Sequence, residues 1–434
     1  MENQTEVLSS NGNKAKSFLF AFALVTSLFF FWGFVHNLDP ILIPHLRRAF
    51  RLSNFQATLV DSAVFVAYFV MAIPAGTIMK KYGYKTGIIF GLILFSLGCF
   101  LFIPAANTMQ YSFFLGALFI VACGLATLET AANPYATVLG TPETATQRLN
   151  FAQSFNGLAA FLAPIVGGVF ILNESPKTDQ EVDSMTEVAR NAYLLSETST
   201  VKLPYLILGI AVLLVAIIFV FTKLPDIKDD EEPVHPGFFH ALRHKHLVWA
   251  VVAQFFYVGA QVCILSMLIL YATKAAGISE KDATWYAGAA GLAFMLGRFV
   301  GTFFMRFIKP QKLLAFYSII CILLCTYTIF GSGIFTLYAM IGIAFFMSIM
   351  FPTIFALGIA RLGADTKSGS SLLIMSIVGG ALLPPVLGLI ADATHNLQYG
   401  YAVPLICFAV IGWYAKIGVK ADLNQEELSM RSGH

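Results

Sequence analysis

Apolar residues in this chain come in long runs bounded by charges, glycine and proline. A helix needs about 20 mostly apolar residues to cross the ~30 Å hydrocarbon layer of a bilayer. Runs of that length recur along the whole sequence, which excludes a single anchor on a soluble domain. Twelve are predicted, near residues 17–43, 55–79, 86–105, 112–138, 149–172, 204–222, 247–272, 284–305, 313–331, 334–360, 370–391 and 400–415. The pattern predicts an all-α polytopic membrane protein of twelve transmembrane helices, called spans one to twelve below.

Twelve spans place both termini on one side, and basic residues decide which. With the termini inside, the inner segments hold more than twice as many Lys and Arg as the outer loops. Both termini are therefore predicted in the cytoplasm, with Arg47, Arg48 and Arg51 after span one as the exception. The stretch TKLPDIKDDEEPVHPGFFHALRHKH, between spans six and seven, mixes charges with prolines and reads as a cytoplasmic linker. It divides the chain into an N-terminal six-helix half (1–222), a linker (223–246) and a C-terminal six-helix half (247–434). Segment 173–203 is acid-rich and predicted outside, where a short amphipathic cap helix fits. The first sixteen residues are polar and lack a signal-peptide layout, and the apolar run after them is long enough to be kept as span one.

The halves resemble each other internally. Gly76-Thr77 with Lys80 in span two matches Gly301-Thr302 with Arg306 in span eight. NPYATVLG in span four sets Pro134 six residues before Gly140, and FPTIFALG in span ten sets Pro352 six before Gly358. Pro164-Ile165-Val166-Gly167 in span five matches Pro385-Val386-Leu387-Gly388 in span eleven. Apolar Gly/Pro segments align easily by chance, but three matches at the same offset of six helices point to a repeat.

Composition fits this reading: 58% of residues are hydrophobic and 12% charged, with a mean hydropathy of +0.76. Soluble domains carry roughly 25% charged residues. The net charge of +3 is spread over short loops, and nothing reads as a nucleic-acid patch. All six cysteines fall inside apolar runs, as small buried hydrophobes do. No CxxC pair, HExxH or GxSxG motif occurs, so no metal, cofactor or enzyme chemistry is called for.

Charge inside the spans is scarce and expensive, about 2.5–3.5 kcal/mol per residue on insertion scales. By the span map the interior holds Asp39, Asp61, Glu129 and Arg298, together with His36. Asp61, about two turns inside span two, is either a helix-end charge reached by water or part of an interior site. Arg298 reads as a structural charge that staples helix ends on the cytoplasmic side. Glu129 lies deep in span four, far from either end, where mere tolerance is the weaker explanation. Asn133 shares its face at i+4. Span five adds Gln153 and Asn156, span one His36 and Asn37, and span seven Gln254, Tyr257 and Gln261. Any one such amide can be interhelical glue, worth about 0.6 kcal/mol, and Gln254 taken alone reads that way. Together they offer donors and acceptors to ring hydroxyls, while Trp32, Phe34, Phe155 and Phe351 could pack the apolar faces of a sugar. A carboxylic acid taken out of water favours its neutral form and can carry a proton to whichever side reaches it. The cavity lacks paired basic residues, which disfavours anionic substrates.

At these positions the sequence resembles the fucose–galactose–glucose:proton symporter family of the major facilitator superfamily, and within it the bacterial L-fucose-transporting members. The resemblance runs from about Phe18 to Trp413. It is carried by SNFQATLVDSAVFVAYFVMAIPAG (53–76), LETAANPYATVLG (128–140), RLNFAQSFNG (148–157), AQFFYVGAQ (253–261) and FPTIFALGIARLGADTKSGSS (351–371). It implies a major facilitator fold, in which parallel six-helix repeats rock around a central site. It also implies proton coupling at Glu129 and a sugar cavity lined by Gln153 and Asn156, with Asn37 opening the span-one pattern. The family places an acid where this chain has Pro40; here the acid is Asp39, one residue earlier. One residue is about 100° around a helix, and a kink at Pro40 would be needed to swing Asp39 inward. Phe351 stands where those relatives carry tyrosine, and GTIMKKYGYK lacks the aspartate of the superfamily's gating loop.

The combined reading is proton-coupled import of a neutral hexose or deoxyhexose, with L-fucose first, by alternating access. Glu129 carries the proton and Asp39 assists; His36, Asn37, Asn133, Gln153, Asn156, Tyr257 and Gln261 bind sugar. The expected partners are a neutral monosaccharide, a proton and the lipid bilayer, with no nucleic acid, and the chain is expected to act as a monomer in a bacterial inner membrane. Glucose, galactose, mannose or an amino sugar as substrate, sodium as the ion, and export as the direction all stay open. A membrane enzyme or a passive channel fits less well.

Overall fold

The computed structural model describes residues 2–38, 50, 54–170, 179–224, 238–275 and 277–420. Among these, ten stretches are long and apolar enough to cross a membrane. One of them, Ala63–Thr108, is 46 residues long and contains two passes. They belong to a helix running over Asn54–Thr108 and interrupted at Gly83, whose φ of 83° is a conformation that glycine adopts without strain. The helix Ala145–Phe170, made polar by Gln153, Asn156 and their neighbours, supplies the twelfth span. The fold is all-α, with twelve helices in two six-helix halves.

Span one ends at His36, span four is Tyr111–Val138 and span six is Lys202–Phe221. Before span six, Glu187–Ser199 forms a short helix within the predicted outer segment, its Thr186 hydroxyl accepting from the Ala189 N–H. Span seven is Lys245–Leu265, continued by Leu268–Lys274. Span eight is Glu280–Phe304, capped by the Ser279 hydroxyl, and span nine starts on Pro310, a residue suited to a first helical turn. Span ten is two helices, Phe335–Met347 and Met350–Ile359, which meet one turn before Pro352. Span eleven is likewise broken, into Thr366–Met375 and Gly379–Thr394, and span twelve is Ala402–Lys416.

Spans two and three pack on span four, span eight on span ten, and span nine on span twelve. Between the halves, span five lies against spans eight and ten, and the first part of span eleven lies against span four and the helix of spans two and three. Hydrogen bonds that join the halves include Gln147 Nε2 to the Thr302 carbonyl at 3.4 Å and Asn150 Nδ2 to Thr353 Oγ1 at 3.1 Å. The Lys367 ammonium also sits 5.1 Å from the centre of the Tyr84 ring. These contacts gather toward the end of the bundle that carries the linker.

That end has its own charged cluster. Asp365, buried, accepts from His240 Nδ1 at 3.0 Å and His244 Nε2 at 3.2 Å, with Arg243 Nε at 3.9 Å. The last linker residues are thereby tied to the turn between spans ten and eleven.

Candidate functional site

Glu129 sits in span four about two and a half turns from the helix end at Val138. In a turn where Thr127, Thr130 and Asn133 are completely buried, Glu129 keeps 8% of its surface exposed. Its Oε1 accepts a 2.6 Å hydrogen bond from the Tyr68 hydroxyl of span two. Tyr68 was missed in the sequence reading; its signal is its place seven residues after Asp61, on the same helical face.

One turn toward the linker end, Asn133 is buried beside span five, and its Oδ1 accepts from Gln153 Nε2 at 3.1 Å. Arg298, on span eight, reaches the same level and donates through Nη1 to the Gln153 carbonyl at 2.7 Å and to Asn156 Oδ1 at 3.4 Å. Its Nε donates to the Ser348 carbonyl of span ten at 2.9 Å, and its guanidinium lies 4.6 Å from the centre of the Phe294 ring. The buried Tyr257 hydroxyl faces Arg298, and Glu129 lies close enough to feel its charge. A buried guanidinium with backbone carbonyls around it is satisfied without neutralising the acid.

The structure thus brings together Glu129, Asn133, Gln153, Asn156, Arg298 and Tyr257. Asn37 is tied to them indirectly. Its Nδ2 donates to the Gly33 carbonyl at 2.6 Å, and Gly33 presses on Asn156 so closely that a Cβ there would lie 2.8 Å from Asn156 Cγ. His36 stands exposed at the end of span one, and Gln261 is half-buried one turn beyond Tyr257. Asp39 lies outside the described residues, as does the side chain of Asp61.

Two sequence expectations change. Gln254 shows no glue contact: it is fully buried, and neither of its amide atoms has a hydrogen-bond partner among the described residues. Trp32 is buried with its ring 4.1 Å from that of Phe29, packed as core instead of presented to a sugar. Phe351 packs toward Tyr257 at 6.2 Å between ring centres.

Prolines shape the backbone of both central helices. Pro134 has no N–H to give the carbonyl four residues earlier, that of Thr130, and Pro352 likewise leaves the Ser348 carbonyl free. Both are filled from other spans. Ser370 Oγ of span eleven donates to the Thr130 carbonyl at 2.7 Å, and Arg298 takes Ser348.

Comparison with known proteins places this geometry. The family model of the Major Facilitator Superfamily matches residues 19–383. The chain is 43% identical to the L-fucose-proton symporter of Escherichia coli over 425 residues, 96% of this chain and 97% of that protein. It is 41% identical to a glucose/galactose transporter of Brucella abortus, over 95% of this chain and 98% of that one. Among solved structures, the Escherichia coli fucose:proton symporter superposes with a TM-score of 0.86 at 43% identity, over 93% of this chain and 99% of that one. A mutant of XylE reaches 0.74 at 12% identity over 93% of this chain and 96% of that one, a likeness of fold alone.

Proposed function

The chain belongs to the major facilitator superfamily, and from that premise we propose that it imports a neutral hexose or deoxyhexose, L-fucose first, together with a proton. The proposal is supported most by one observation: the Glu129 carboxyl, held by the Tyr68 hydroxyl, keeps exposed surface within a buried turn next to a hydrogen-bonding amide pair. The relatives named as a fucose–proton symporter and a glucose/galactose transporter support the substrate class.

The mechanism follows from the residues. Proton loss leaves a carboxylate that Tyr68 and the charge of Arg298 stabilise; proton gain removes a buried charge and the cost of moving it through a dry intermediate. Gln153 and Asn156 offer amide groups to ring hydroxyls, and Asn133 fixes the Gln153 amide. In our reading His36, Asn37, Tyr257 and Gln261 complete the sugar site, and Asp39 assists the proton step. Arg298 and Asp61 are structural charges. The halves 1–222 and 247–434 rock about the site, joined by the linker 223–246. We place the chain as a monomer in a bacterial inner membrane with both termini in the cytoplasm, acting as a carrier and not as an enzyme.

Proteoliposome uptake of labelled L-fucose, D-galactose, D-glucose, D-mannose and an amino sugar under an imposed inward proton gradient tests this reading. Accumulation of at least one of them is expected. Accumulation driven only by sodium, or none at all, would overturn it.

A further inference from the structure

We propose that Ser370 is a positioning residue for transport: its hydroxyl bolts span eleven to the proline-freed carbonyl beside Glu129, holding the two halves together at the linker end until the protein opens there. The inference rests on the alternating-access part of the function proposed above.

Three observations carry it. First, hydroxyls in these helices ordinarily bond back to their own helix, as Thr127 does to Cys123, Ser154 to Asn150, Ser318 to Leu314 and Ser371 to Lys367. Ser370 instead reaches across to span four. Second, the acceptor is the one carbonyl of that turn for which Pro134 supplies no N–H, and it belongs to the residue next to Glu129. Both partners are completely buried. Third, the matching carbonyl in the C-terminal half, Ser348, is filled by Arg298 from its own half. Rocking of the halves leaves that bond intact, whereas the Ser370–Thr130 bond spans the moving interface and must break when the linker end parts. The freed carbonyl can then be satisfied only by water, so the bond favours the closed arrangement as long as the interface is dry.

The test is a spin-label distance distribution across the linker end, with labels at Lys81 and Lys309, both exposed. It is run in purified full-length protein without sugar, so its failure is separate from a failure to transport any tested sugar. Ser370→Ala should raise the ratio of open to closed populations roughly three- to twenty-fold, the range of interhelical hydrogen bonds in membranes. Ser370→Thr, which keeps the hydroxyl, should restore the unmodified distribution. Pro134→Ala returns an N–H to the Thr130 carbonyl, so in that background Ser370→Ala should change nothing further. An unchanged distribution in Ser370→Ala overturns the proposal. So does an undiminished shift on the Pro134→Ala background, which would mark an additive and merely structural contact.

Discussion

Span four and span ten carry the same backbone device and opposite chemistry. In each, a proline six residues before a glycine frees one carbonyl, and a side chain from a neighbouring span fills it. Aligned on those prolines, Glu129 and Asn133 of span four correspond to Met347 and Phe351 of span ten. The repeated element is the bent helix, which shapes a central site. The buried carboxyl and the Asn133–Gln153 amide pair lie in the N-terminal half, and the C-terminal half contributes Arg298, Tyr257 and Gln261.

The largest break of this asymmetry is Glu129→Gln, which removes the titrating group and keeps the shape. Gradient-driven accumulation in proteoliposomes should fall to simple equilibration while sugar counterflow persists; undiminished accumulation would move the proton site elsewhere. Next is Arg298→Met, which leaves the proline-freed Ser348 carbonyl without its donor. At about 1–3 kcal/mol for a buried group left unpaired, a fall in thermal stability of several degrees or more is expected in a melting assay. An unchanged melting temperature would show that span ten does not need its filler.

A smaller effect is expected from Tyr68→Phe. The hydroxyl donates to the Glu129 carboxyl. Without it the carboxyl loses that anchor, and gradient-driven accumulation should fall several-fold while counterflow persists, about the worth of one interhelical hydrogen bond. Undiminished accumulation would remove Tyr68 from the proton step. Smallest, and opposite in sign, is Gln254→Met. Both amide atoms are buried and unpaired among the described residues, so an apolar side chain of similar length should leave stability equal or raise it by about 1 kcal/mol. A loss of stability would restore the glue role assigned to Gln254 from sequence.

Much of this was legible in the sequence, because apolar runs and prolines are local signals. The spans and the Pro134/Pro352 correspondence need no knowledge of contacts. The acid of Glu129 stood out for the same reason: a charge deep in an apolar run is visible without a structure. Its partners were not. Tyr68 and Ser370 meet span four across 61 and 240 residues of sequence; helical periodicity puts Tyr68 on the face of Asp61 but does not specify which span that face, or that of Ser370, will meet. Gln254 misled for the complementary reason, since its spacing with Tyr257 suggests a shared face but says nothing about whether a partner lies opposite.

The most direct test of the central claim, that sugar and proton enter together through Glu129, is the external pH of lightly buffered proteoliposomes in sodium-free medium when L-fucose or D-galactose is added. A transient alkalinisation is expected, and it should be absent in Glu129→Gln. No pH change without sodium, with sugar uptake restored when sodium is supplied, would contradict it.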